Sequence, residues 1–251
     1  MTRQVDLDYV NRSFSAPAKV RHYSALSEKV VLWASEAVIF ERHLPKPGPI
    51  LDVGCGAGRV TFGLYRLGFQ NVQGMDLSDS MIEAASKIAV RLAYPIPFRV
   101  ANALCLPYDN ESFSAAVFAF NGLMQIPSRD QRLAALSEIR RTLKPGGVFV
   151  FTTHERGRGG REERWRLEAD LWREGKQDPR MHEFGDVFFD LEGVEGFIHV
   201  PERSEMLAAI DAAGLEPIED LWRPDICDES AEVNAFSNDC RFWVVRKPAN
   251  D

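Results

Sequence analysis

Cysteine is sparse in this 251-residue chain, and its pattern excludes more than its number does. Cys55, Cys105, Cys227 and Cys240 form no CxxC pair, and no histidine stands at metal-ligand spacing from them. That pattern argues against a zinc site and for reduced thiols, so no metal is expected. Long hydrophobic runs are also missing: none approaches the roughly 20 residues that span a bilayer. The polar stretch from Met1 to Asp8 lacks the apolar core of a secretory signal, so a cytoplasmic protein with no membrane association is expected. Positive charge is not in excess, with 30 Lys and Arg against 37 Asp and Glu and a net charge of −7. A nucleic-acid partner is thereby disfavoured, since a basic footprint could only be local.

What remains is an ordinary soluble composition, long enough for one large α/β domain as a monomer or homodimer. Residues 1–20 are polar, contain Pro17, and read as a loose arm. Leu26, Val30, Trp33, Ala37 and Phe40 recur at helical steps, which predicts one amphipathic helix from about Ala25 to His43. Trp33 and Phe40 on that stripe read first as packing residues. Pro45, Pro47, Gly48 and Pro49 then break the chain. Beyond the break, element types alternate. Strands are expected at 50–53, 71–75, 98–101, 115–120 and 148–152, with helices at 59–67, 78–92 and 129–143 between them. Alternation of this kind predicts a parallel sheet with right-handed crossovers. The fifth strand, almost wholly apolar, is expected to be buried on both faces. From His154 to Arg180 the chain is highly charged, with a surface helix expected over 162–174 and short strands at 187–189 and 197–200. Regularity resumes with a helix at 202–213 and strands at 216–222 and 241–246.

The most informative stretch is Ile50-Leu51-Asp52-Val53-Gly54-Cys55-Gly56-Ala57-Gly58. A strand ends in glycines and a helix follows, so bare backbone can approach a ligand at a helix N-terminus. A dinucleotide fingerprint, GxGxxG, would need glycine at position 59, where Arg59 stands. Asp52 would place a carboxylate beside the ligand, which suits an amino or sulfonium cation better than a diphosphate. Some twenty residues on, Asp76 closes the second strand in Gly74-Met75-Asp76-Leu77-Ser78. A carboxylate there can accept from both ribose hydroxyls. Its plainer role would be to cap the next helix, for which Ser78 and Asp79 are also candidates.

These motifs, together with Met81, Asn102-Ala103-Leu104-Cys105-Leu106-Pro107, Phe113 and Leu143-Lys144-Pro145-Gly146-Gly147, resemble those of the class I S-adenosylmethionine-dependent methyltransferases. The likeness covers residues 50–153. It implies an α/β fold, a Rossmann-like three-layer sandwich with a mostly parallel seven-stranded sheet and an antiparallel last strand. An N-terminal helical cap (1–46), a cofactor-binding core (50–153), an insertion covering the acceptor site (154–200) and C-terminal elements (201–251) complete the expected single domain. The implied cofactor is S-adenosyl-L-methionine, with S-adenosyl-L-homocysteine as product.

By the same resemblance Gly54 and Gly56 face the methionine part, Asp52 orients its amino group, Asp76 holds the ribose and Leu77 lies on adenine. Asn102 stands where the family usually has aspartate, and its carbonyl oxygen can still accept from the adenine amine. Cys55, Gly58, Met81, Ala103, Leu104 and Asn121 are further candidate cofactor contacts. Tyr23 matches the place of a lid tyrosine in related small-molecule enzymes, with packing of the arm as the other reading.

Methyl transfer from an activated donor needs alignment more than a signature base. His154, at the end of strand five, is the candidate catalytic base or substrate contact; a surface histidine is the alternative. His182 and His199 are weaker candidates. Arg156, Arg158, Arg161, Arg164 and Arg166 could attract an anion, but interleaved glutamates favour a solvated face. Phe184, Val187, Phe188, Phe189 and Phe197 fit either an acceptor pocket or a small core of the insertion. The expected activity is methyl transfer to oxygen or nitrogen of a small-molecule acceptor. No Asn-Pro-Pro-Tyr or Asp-Pro-Pro-Tyr run follows strand four, where Asn121-Gly122-Leu123-Met124 stands. An RNA or protein methyltransferase, a non-catalytic cofactor binder, and a NAD-dependent oxidoreductase are the competing readings, the last opposed by Arg59.

Overall fold

The computed structural model describes residues 4–29, 32–158 and 160–250. Five parallel strands form the centre of a seven-stranded sheet: β1 (Ile50–Val53), β2 (Val72–Asp76), β3 (Phe98–Val100), β4 (Phe113–Phe118) and β5 (Leu143–Thr153). β8 (Glu216–Trp222) and β9 (Arg241–Arg246) complete it in the order β3-β2-β1-β4-β5-β9-β8, with β9 antiparallel to both neighbours. This is the expected Rossmann-like sheet. Strand order reverses between β1 and β4, and the crevice above their carboxyl ends is where ligands of open α/β sheets bind.

Residue alternation divides the sheet into two apolar faces. Ala116, Phe118, Phe149, Phe151, Trp243 and Val245 face one way, against α6 (Arg129–Thr142) and α8 (Arg203–Ala212). Ala115, Val117, Val150, Phe242 and Val244 face the other, against α3 (Ala34–His43), α4 (Arg59–Arg66) and α5 (Asp79–Leu92). Two covered faces make three layers, and β5 is buried over 149–153 as its composition predicts.

The N-terminal region departs from expectation. Residues 1–20 are not a loose arm throughout: α1 (Leu7–Phe14) starts on Asp6, whose side chain accepts from the Tyr9 N–H, and α2 (Pro17–Lys29) starts on a proline. Proline is well tolerated there, because the first helical N–H has no partner to lose. The single helix expected from Ala25 to His43 is instead α2 and α3; Val30 of the supposed stripe lies outside the described residues. Trp33 precedes α3, and its N–H donates to Glu36 Oε2 at 2.9 Å, closing the new helix's first turn. Trp33 and Phe40 are both buried, as packing residues should be.

The insertion holds α7 (Glu162–Arg173) and a separate antiparallel hairpin, β6 (Asp186–Leu191) and β7 (Val194–His199). Val187 and Phe197 are buried, Phe188 packs on Phe197, and Phe184 meets Trp165 and Trp172 edge-on. Val187 belongs to the core cluster on one face of the main sheet, Phe184 and Phe189 pack against it, and Phe188 meets Tyr9 of α1. Its arginines are largely paired: Arg156 with Glu205, Arg158 with Glu155, Arg166 with Glu163. A short α9 (Ala231–Phe236) was not foreseen. No helix among the described residues is long and apolar enough to cross a membrane.

His199 is fully buried at the end of β7, with Nδ1 2.8 Å from Asp186 Oδ1 and Nε2 2.6 Å from Glu205 Oε1. Burial works against its charged form, but the two carboxylates outweigh it and raise the pKa above 6.5. A raised folded-state value means the stabilisation is complete below the unfolded pKa and is lost as pH rises through the folded one. Urea midpoints should therefore fall as pH rises above 6.5, and the slope should be shallower in His199→Gln; equal slopes would remove this role.

Candidate active site

A cavity open at its mouth lies above the carboxyl ends of β1, β2 and β4. Its floor is the loop after β1, where Gly54, Gly56 and Gly58 all have positive φ. At Gly54 a Cβ would also lie 2.3 Å from the Phe118 ring, so a side chain is excluded twice over. At Gly56 a Cβ would meet no atom within 4 Å, which leaves the backbone bare toward the cavity.

Asp76 fixes this loop. Its Oδ2 accepts the Gly56 N–H at 2.9 Å and its Oδ1 accepts the Ser78 N–H at 2.8 Å. Burial raises its pKa, while the N–H groups of Ser78, Gly56 and Leu77 oppose the rise. Each oxygen retains acceptor capacity on the cavity side, as ribose hydroxyls require. Asp52 is buried beneath, its Oδ2 accepting from Thr61 Oγ1 at 2.6 Å. Burial pushes its pKa up to about 7, with Thr61 and Arg59 pulling down and Glu36 and Asp76 pushing further up.

Arg59 enters the site in a role that its sequence position did not disclose. Its guanidinium lines the cavity and grips Glu36 with two bonds, 2.7 and 2.6 Å, while lying over the Trp33 and Phe120 rings. Glu36 is fully buried and was not singled out; a glutamate three residues after Trp33 was the available signal. The roof was missed as well. Leu7, Val10, Asn11 and Phe14, at i, i+3, i+4 and i+7 of α1, line the cavity with Tyr23 and Leu26 of α2.

Of the candidate cofactor contacts, the cavity gathers Tyr23, Asp52, Gly54, Cys55, Gly56, Asp76, Leu77, Met81, Asn102 and Ala103. Tyr23 packs edge-on to Phe120, and burial together with Asp76 raises its phenol pKa, against Arg59. Asn102 Oδ1 accepts the Leu104 N–H at 2.9 Å, so one of its two lone pairs is already committed. Three candidates lie outside the lining. Gly58 caps α4, Leu104 stands behind Asn102, and Asn121 turns toward His154.

His154 is corrected from its expected place. It does not line the cavity, and both ring nitrogens are engaged: Nδ1 donates to the Asp239 carbonyl at 3.0 Å, and Nε2 accepts from Asn121 Nδ2 at 3.2 Å. Burial lowers its pKa against the Asp239 bond, so the ring is a neutral link rather than a poised base. His199, bound between Asp186 and Glu205, and His182, whose Nε2 meets the Val5 carbonyl, are likewise taken up by structure. None of the described residues of 154–200 is among those that line the cavity.

An α/β sheet with a glycine loop at the switch point, an acid at the end of the next strand and a buried carboxylate beneath the loop is the arrangement of Rossmann-like proteins. Comparison with known proteins narrows the class. Residues 50–147 match the family described as methyltransferase domain. A probable methyltransferase, ltbC, of Aspergillus luteorubrus is 35% identical over 124 residues, 46% of this chain and 43% of that protein. A sterol 24-C-methyltransferase of Gibberella zeae is 30% identical over 185 residues, 72% of this chain and 43% of that protein. These matches span less than half the length of the curated relatives. The fold is that of an S-adenosylmethionine-dependent methyltransferase from Methanosarcina mazei, with TM-score 0.66, 20% identity, and coverage of 84% of this chain and 97% of that one. Residues 50–147 therefore carry a methyltransferase domain, on the Rossmann-like fold that S-adenosylmethionine-dependent methyltransferases share, and S-adenosylmethionine is the cofactor that this likeness implies.

Replacing Asp76 with alanine should weaken S-adenosylhomocysteine binding by roughly 10- to 100-fold, the worth of one or two charge-assisted bonds. Calorimetry showing wild-type affinity would remove the ribose role. A cation beside Asp52 needs the ionised carboxylate, so affinity for S-adenosylmethionine should rise as pH passes upward through about 7. Asp52→Asn should abolish that rise; a pH-dependent affinity that survives the substitution would place the titrating group elsewhere.

Proposed function

We propose that this protein methylates an oxygen or nitrogen atom of a small molecule. The observation that carries this reading is the roof: α1 and α2 line the cavity together with the glycine loop and Asp76, leaving a walled pocket with one open mouth. A macromolecular acceptor would have to displace both helices, whereas a small molecule can occupy the space beneath them. The acidic balance of the chain favours the same choice.

Bound S-adenosylmethionine supplies a methyl group already activated on sulfur, for in-line displacement by the acceptor. The chain's share is positioning. Asp52 and the backbone at Gly54 and Gly56 fix the methionine end, Asp76 fixes the ribose, and Leu77 and Met81 flank the base. Holding both reactants at roughly 3–3.5 Å in line supplies much of the rate for such a step. Tyr23 and the α1 face keep water out. No protein base is assigned to the acceptor, because Asp52 and Asp76 serve the cofactor and His154 faces away from the cavity.

Incubation with methyl-labelled S-adenosylmethionine and a cell extract should place label in the metabolite fraction, on oxygen or nitrogen by NMR of the product. Label in RNA or protein would overturn the small-molecule reading, label on carbon the choice of atom. Absence of label with cofactor binding intact would leave a binding protein.

A further inference from the structure

The cavity is divided in charge. Among the described residues, its charged lining side chains are Asp52, Arg59 and Asp76, standing at the end of β1, the start of α4 and the end of β2. All three belong to the half floored by the glycine loop. Away from them the cavity is walled by Leu7 and Val10, in the first half of α1, and by Ile126, which follows a short 3₁₀ turn (Gly122–Gln125) after β4. The polar side chains there are neutral amides: Asn11 and Gln125. Asn11 Oδ1 already accepts from Ser15 Oγ at 3.1 Å, which leaves its NH₂ group as donor.

The α1 wall is held in place rather than loosely laid on. On the side of α1 away from the cavity, Tyr9 Oη donates to Glu195 Oε1 at 2.6 Å and Ser13 Oγ to the Glu195 carbonyl at 2.6 Å. Lys19 Nζ reaches Ser13 Oγ at 2.6 Å from the buried start of α2. A braced apolar wall cannot readily bring a counter-charge to a ligand that lacks one. An ionic group placed against it would lose its hydration without a charged partner, which costs several kcal/mol.

We propose that the acceptor is an uncharged, mainly apolar small molecule seated between the α1 face and Ile126, with Asn11 and Gln125 as its polar contacts. This rests on the cofactor occupying the glycine-loop half, as in the reading above. Gln125 then determines specificity: its amide recognises a neutral polar group on the acceptor without offering a charge to an ionic one.

The test is calorimetry in two stages at neutral pH. S-adenosylhomocysteine is titrated first; failure to bind would overturn the cofactor placement, and this proposal with it. With that product saturating, three probes of one shape follow: 2-naphthol, 2-naphthoate and 2-naphthylmethylammonium. The neutral probe should bind at least about tenfold more tightly than either ion. Comparable or tighter binding of an ion, or no binding by 2-naphthol, would overturn the proposal while leaving the cofactor site standing. Gln125→Glu should then narrow the gap between 2-naphthol and the ammonium probe severalfold; an unchanged gap would remove Gln125 from the acceptor's contacts.

Discussion

The site depends on one hydrogen bond, from the Gly56 N–H to Asp76 Oδ2. It ties the loop leaving β1 to the end of β2, two strands held in parallel register with Val53 beside Met75. Because Gly56 has φ of +54°, its N–H can turn toward the next strand while its Cα stays open to the cavity. The same carboxylate accepts from Ser78, whose hydroxyl caps α5 by accepting from the Met81 N–H. Ser78 Oγ in turn lies 2.8 Å from Ser15 Oγ, just past the end of α1. One buried acid therefore sets the floor, the next helix and one anchor of the roof.

The roof needs its own support, and the insertion, none of whose described residues lines the cavity, supplies it. An eight-residue helix has little stability alone, and α1 gains its position from the β6–β7 hairpin through Tyr9, Ser13 and the contact of Tyr9 with Phe188. The hairpin is tied to the other wall as well: Arg132 donates to the Ile126 carbonyl and pairs with Glu183. The insertion thus contacts both α1 and the segment at Ile126 from behind the cavity lining.

Much of this was legible in the residues. The strand–turn–helix context of Asp52 to Gly58, the acid at Asp76 and the apolar run of β5 predict the sheet and the cofactor half, because these positions obey local rules of backbone freedom and periodicity. The roof was not legible. The polar surroundings of Leu7, Val10 and Phe14 conceal a stripe only two turns long, and Pro17 reads as a breaker although it starts a helix. His154 misled for another reason. A residue at a strand's carboxyl end is near the site in sequence logic, yet Phe120 and Asn121, at φ of +53° and +60°, redirect the chain so that Asn121 meets His154 outside the cavity. Such backbone strain in a bulky residue leaves no mark in composition.

The Glu36–Arg59 pair shows why position 59 is more than a missing glycine. A buried ion pair gains little stability over apolar residues of the same shape, so its placement calls for another account. Burial raises the Asp52 pKa; the Thr61 hydrogen bond and then the Arg59 charge oppose that rise. Glu36 holds Arg59 by both terminal nitrogens, at 2.7 and 2.6 Å. Because Glu36 lies in α3 and Arg59 begins α4, the bond also locks the N-terminal cap to the helix that follows the glycine loop. Loop geometry, carboxylate ionisation and cap docking are thereby coupled through a single guanidinium, and a change at any of the three is felt at the cofactor.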